Sequence, residues 1–225
     1  MRKNYATQPN VITLNAFVGF TVTDNLDVLL KATPLPENFD LLSVDVDGNE
    51  YHIWKAISKF QPKVVVVEFN QTIPTEIHFV QEANPSVSQG SSLLALVELG
   101  KEKGYELISV LSCNAFFVRS EYFPLFKIED NSPQALRKSL EDVTYIFSGY
   151  DGKVFLRGSQ NLPWHGVKLR QSSIQPLPKM LQKFPCSYNR FEKLLWRFYL
   201  LIQQFREQPL TTVKKIVSRV AGPGV

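Results

Sequence analysis

Leu41-Leu42-Ser43-Val44-Asp45-Val46-Asp47-Gly48-Asn49-Glu50 is the stretch on which the fold turns. Residues 41–46 read as a short buried strand that ends in two carboxylates. Side chains two apart on an extended strand project from one face, so Asp45 and Asp47 are expected side by side. Gly48 permits a sharp exit into a helix over residues 50–60. Asp47 or Asn49 is placed to cap that helix. Next comes Val64-Val65-Val66-Val67, apolar at consecutive positions as a strand covered on both faces should be. It closes with Glu68-Phe69-Asn70, which brings a third carboxylate and an amide to the same rim.

Working outward, further strands are expected at residues 11–18, 105–111 and 115–119, the last two joined through Ser112-Cys113-Asn114 as an antiparallel hairpin. Helices are expected at 26–32 and 91–103, the latter with apolar i, i+3, i+4 spacing and a C-cap at Gly104. Alternating strands and helices predict an α/β domain with a mostly parallel sheet. Beyond residue 121 periodicity weakens: a helix over 132–143, strands at 144–147 and 153–156, and several prolines. An aromatic helix over 188–205 follows, then Pro209 and a second basic helix over 211–220. The expected domains are 1–120, an irregular extension over 121–187, and a basic helical tail over 188–225.

The composition sets bounds. At 225 residues, 44% hydrophobic and 12% aromatic, the chain can bury a proper core, which excludes a wholly disordered or fibrous protein. Two cysteines, Cys113 and Cys186, are too few for a disulfide framework or a thiolate zinc site. A reducing, cytoplasmic setting fits best. The amino terminus lacks the apolar stretch of a secretory signal, and there is no run of 18 apolar residues. Net charge is +4, but residues 189–225 hold seven basic and two acidic groups, leaving −1 for the rest. Nucleic acid is therefore not an expected partner of the body.

Open α/β sheets bind ligands beyond the carboxyl ends of their strands, which points to the rim holding Asp45, Asp47, Glu68 and Asn70. The plainer use of these groups is capping and loop hydrogen bonding. Asp45, Asp47, Glu68 and His52 also form an oxygen-rich set that would suit magnesium or manganese, although no metal is expected. There is no glycine-rich nucleotide loop between a first strand and helix, no nucleophile elbow, and no useful Cys/His pair. Leu162-Pro163-Trp164-His165-Gly166 reads as a packed turn with its tryptophan in the core, or as a substrate shield.

The decad at 41–50, then Trp54-Lys55-Ala56, then Pro62-Lys63-Val64 through Glu68-Phe69-Asn70 resembles the FkbM-type family of S-adenosylmethionine-dependent methyltransferases. That family has a strand ending in Asp-Val-Glu-Gly, a helix, and a strand closing with a glutamate; here Asp47 stands at the glutamate position. The resemblance runs over roughly residues 10–120. It implies a partial Rossmann-like, class I methyltransferase-type sheet of strand order 3-2-1-4-5-7-6. Residues 11–18 would be strand three, and the strands bearing the glycine loop and the ribose-binding acid would lie ahead of Met1. Residues 41–46 would then form an open edge.

The implied function is methyl transfer to an oxygen acceptor, a sugar or small hydroxylated metabolite, impaired by truncation or completed by another polypeptide. The alternative is a non-catalytic binding or scaffolding protein derived from a methyltransferase, which leaves enzyme status open. By the resemblance, Asp45 lies near the methionine part of the cofactor and Asn15 and Ala16 near its adenine edge. Asp45 or Asp47, assisted by Glu68, would act as base, and Asn70, Ser88 and Gln89 would face the acceptor. Residues 84–92 read as a polar connector and helix N-cap, or as an acceptor-side lid. Phe191, Leu194, Leu195, Phe198, Leu201, Ile202 and Phe205 recur at helical spacing among arginines and lysines, which suits a membrane surface, a partner groove or a dimer contact.

Overall fold

The computed structural model describes residues 8–208. In chain order the first elements are α1 (Leu26–Leu30), β1 (Leu41–Val44), α2 (Glu50–Ala56), β2 (Val64–Glu68), α3 (Leu93–Glu102), β3 (Tyr105–Leu111) and β4 (Asn114–Arg119). A single helical turn, α4 (Pro133–Leu136), follows. The chain divides into two compact units, one running to Thr144 and the other from Tyr145.

The four strands of the first unit form one sheet in the order β1-β2-β4-β3. β1 and β2 are parallel, Leu41 opposite Val64 and Val44 opposite Val67. β4 lies antiparallel to β2 and to β3. The expectation of a mostly parallel sheet is therefore corrected: one pair of three is parallel. The reason is the turn at Ser112 and Cys113, which folds the chain back so that β4 inserts between β2 and β3. The strand order is nonetheless that implied for strands four, five, seven and six of the resembling family.

The other correction concerns residues 11–18. They carry no strand, and Val11, Ile12, Leu14 and Phe17 are exposed. Among the described residues β1 pairs with β2 alone, so β1 is an open edge and Leu41 is exposed there.

Branched valines stiffen extended backbone and make β2 the middle of the core. Val65 and Val67 are wholly buried, while Val64 and Val66 are only partly covered. Among the described residues Trp54 of α2 is the largest buried side chain; its ring lies 4.8 Å from Phe117 and 5.8 Å from Tyr105. Gly100 of α3 lets that helix approach both rings, since a Cβ there would sit 3.1 Å from each of Phe117 and Trp54. α3 begins where Ser92 Oγ accepts the Ala95 N–H. It ends before Gly104 in the left-handed region, as expected. α2 stops earlier than expected because the Asp27 carboxylate accepts the N–H groups of Ser58, Lys59 and Phe60. Those donors are held in an exit turn and do not extend the helix.

The second unit is built from short pieces: β5 (Thr144–Ser148) with β6 (Val154–Gly158), β7 (Asn161–Leu162) with β8 (Val167–Lys168), and a long helix, α5 (Arg190–Glu207). The helix expected over 132–143 shrinks to the one turn of α4. Trp164 lies on an exposed 3₁₀ turn, 68% accessible, so it plugs no core. The second basic helix expected over 211–220 lies outside the described residues.

Candidate functional site

β1 ends at Val44, one residue before the first carboxylate. Asp45 to Gly48 form a turn, with Asp47 in the left-handed region at φ 58° and Gly48 at φ 147°. Aspartate tolerates the former better than most residues, and only glycine adopts the latter readily. Asp45 and Asp47 are therefore gathered by a strained turn rather than by strand alternation. Their carboxylate oxygens and that of Glu68, at the end of parallel β2, all lie within 4.8 Å of one another. Among the described residues no backbone amide donates to Asp45 or Asp47.

Glu50 does the work expected of a cap. Its buried carboxylate reaches back to accept the N–H of Val46 at 2.9 Å and that of Gly48 at 2.9 Å. Asn49, at the N-cap position, makes no capping bond; its Nδ2 donates to Val87 O at 3.2 Å, and its buried Oδ1 has no partner. Glu68 is half-buried beside these acids. Burial, then the charges of Asp45 and Glu50, hold its carboxyl above the ordinary range.

The segment over residues 81–90 closes against this turn. Gln81, buried, uses its whole amide: Oε1 accepts from Gln89 N and Gly90 N at 2.9 and 2.7 Å, and Nε2 donates to Val87 O at 3.0 Å. A Cβ on Gly48 would fall 2.9 Å from Ser88 Cα, so the segment is seated directly on the carboxylate turn. Asn70 Nδ2 donates to Gln89 O at 2.7 Å, while its Oδ1 accepts from Thr72 N and Oγ1. His52 Nε2 donates to the Gln81 carbonyl at 2.8 Å, against the Phe20 ring. Sequence reasoning missed Glu50 and Gln81. An acid two residues after a glycine at a strand end is a signal for the first; Gln81 sits in a polar connector with no periodicity to mark it.

Of the expected site residues, the structure thus brings together Asp45, Asp47 and Glu68, and ties Asn70, Ser88 and Gln89 to the facing segment. Asn15 and Ala16 lie exposed in an irregular stretch, not at the end of a strand. A pocket of about 320 Å³ lined by Trp54, Lys55, Lys103 and Tyr105 opens beside Gln61 and Pro62, which precede β2. Ligands of open α/β sheets bind at the other, carboxyl ends, which is where the acids are. The trio's oxygens are hard donors, suited to a divalent cation or to a cationic organic group.

No curated protein and no solved structure matches the chain. Residues 7–107, which contain β1, β2, the carboxylate turn and the segment facing it, match the methyltransferase FkbM domain, the family that the sequence resembles.

Proposed function

We propose that the chain transfers a methyl group from S-adenosylmethionine to the oxygen of a sugar or another small hydroxylated acceptor. The observation that carries this reading is the convergence of Asp45, Asp47 and Glu68 at the carboxyl end of a parallel strand pair, inside the segment that matches the FkbM domain. The donor set fits the cofactor's methionine end: its ammonium and sulfonium are cationic, and carboxylates free of backbone amides supply the complementary field. Asp45 would hold that end. When bound, the cofactor supplies an electrophilic methyl whose bond to sulfur breaks as the bond to the acceptor oxygen forms.

The chain's own residues position the acceptor and take its proton. Glu68, held above the ordinary carboxyl range by burial and by its acidic neighbours, is the better matched base; Asp47 keeps the site anionic as the proton moves. Ser88 and Gln89 offer hydroxyl and amide contacts to the acceptor. Asn70 fixes the segment that carries them.

A second reading, a binding protein on a methyltransferase-like scaffold, is favoured by the open edge of β1 and by the irregular stretch holding Asn15 and Ala16. Calorimetric titration of the full chain with S-adenosylmethionine and S-adenosylhomocysteine separates the two. Micromolar binding that Asp45→Asn weakens supports the enzyme; a folded chain that binds neither ligand leaves the binding protein. Among the described residues no helix is long and apolar enough to cross a membrane.

A further inference from the structure

We propose that α5 docks on anionic membrane surfaces, its apolar stripe set among acyl chains and its flanking cations among lipid phosphates. At about 100° per residue, Glu192, Trp196, Tyr199 and Gln203 form one face, and this face is the packed one. Glu192 is buried, Tyr199 donates to Pro176 O, Gln203 Nε2 donates to Tyr199 Oη at 2.6 Å, and Trp196 lies 6.2 Å from the Tyr188 ring. Turned away from it are Phe191, Leu194, Phe198, Leu201, Ile202 and Phe205, each between 36% and 66% exposed. Their spacing makes a continuous stripe roughly 100° wide along a helix about 27 Å long.

Among the described residues, the contacts that anchor the helix lie outside that stripe. Asn189 Oδ1 accepts from Glu192 N and Glu192 Oε2 from Asn189 N, a complete capping box. Lys183 pairs with Glu192 at 2.6 Å.

Charge selects the occupant. Arg190, Lys193 and Arg197 run along one edge of the stripe and Arg206 lies on the other. Residues 145–225 hold thirteen lysines and arginines against three acids, whereas residues 1–144 hold twelve against eighteen. An interfacial helix combines an aromatic and aliphatic face with flanking cations in this way. A second copy would bring two strongly cationic units together. Nucleic acid would stack on separate exposed rings and leave a contiguous aliphatic stripe in water.

The test is co-sedimentation of the full chain with phosphatidylcholine vesicles that contain or lack phosphatidylserine. We expect binding to the anionic vesicles that falls as salt rises to about 0.5 M. Phe191→Ser with Phe198→Ser should lower partitioning at least about tenfold with an unchanged circular dichroism spectrum, because both rings are exposed. Replacing Arg190, Lys193 and Arg197 by Gln should cost about fivefold for each charge. A wild-type chain left in the supernatant overturns the proposal, and a dimer dissolved by the double phenylalanine variant would then give the stripe to a second copy. Vesicle binding unaffected by that variant also overturns it. So does a single-stranded oligonucleotide bound equally by both chains in place of vesicles.

Discussion

Asp45→Asn removes one charge from the carboxylate trio while keeping the side chain's shape. Two unit charges no more than 4.8 Å apart repel by at least about 0.9 kcal/mol in bulk water and by at least about 3.5 kcal/mol at an effective dielectric constant of 20. Asp45 and Asp47 are exposed, so the lower figure governs, and salt reduces it further. Relief of the two repulsions that Asp45 enters should therefore stabilise the protein by about 1 kcal/mol at neutral pH, a rise of roughly 2–4 °C in Tm. The gain has a pH signature. Burial and the Asp45 and Glu50 charges raise the Glu68 pKa in the folded chain above its ordinary 4.5. The unfolded chain therefore releases that proton first. Wild-type stability from this group is complete below about 4.5 and is lost as pH rises through the folded value. The variant loses less, so its advantage should be smaller at pH 4 than at pH 7. Urea melts at the two pH values measure it, with methyl transfer or cofactor binding followed in parallel. A gain in stability with a loss of function marks a functional cluster. Destabilisation at pH 7, or a gain independent of pH, would refute the reasoning and make Asp45 a structural cap.

Glu50→Ala should act in the opposite sense, costing about 2 kcal/mol in a urea melt, because the N–H groups of Val46 and Gly48 lose a buried charged acceptor. Gly48→Ala places a Cβ 2.9 Å from Ser88 Cα at φ 147° and should cost about 2–3 kcal/mol, with faster proteolytic nicking within residues 81–90. Gln81→Ala leaves Gln89 N and Gly90 N without their acceptor; hydrogen exchange at those two amides should quicken while the amides of β2 keep their protection.

Much of the first unit was legible because its elements follow local rules. The valine run of β2, the Ser92 cap, the Gly104 stop and the β3–β4 hairpin each rest on chemistry within a few residues of the element. Residues 11–18 failed for the opposite reason. Their apolar pattern suits a strand, but a strand needs a neighbour for its backbone, and none pairs with it among the described residues. Trp164 misled in a similar way: an indole beside proline reads as core, yet nothing local says whether another surface arrives to cover it. The reading of α5 as an amphipathic helix needed only its period, whereas the choice of which stripe packs came from Tyr199, Gln203 and Glu192, whose partners lie several to many residues away.

At the carboxylate rim the identity of the residues was legible and their division of labour was not. Asp45, Asp47, Glu50 and Glu68 are chemically alike and fall within one short stretch and one strand end. Amide donors separate them. Glu50 takes the N–H groups of the turn and is spent on structure. That contact holds Asp47 in its left-handed conformation and gathers Asp45 toward Glu68, so a structural carboxylate keeps two others close to the glutamate they repel. Like charges assembled at a cost, with their amide donors already taken by a neighbour, remain available to a cationic partner. The sequence places acids at that rim; only the path of the Glu50 side chain shows which of them is taken by the amides of the turn.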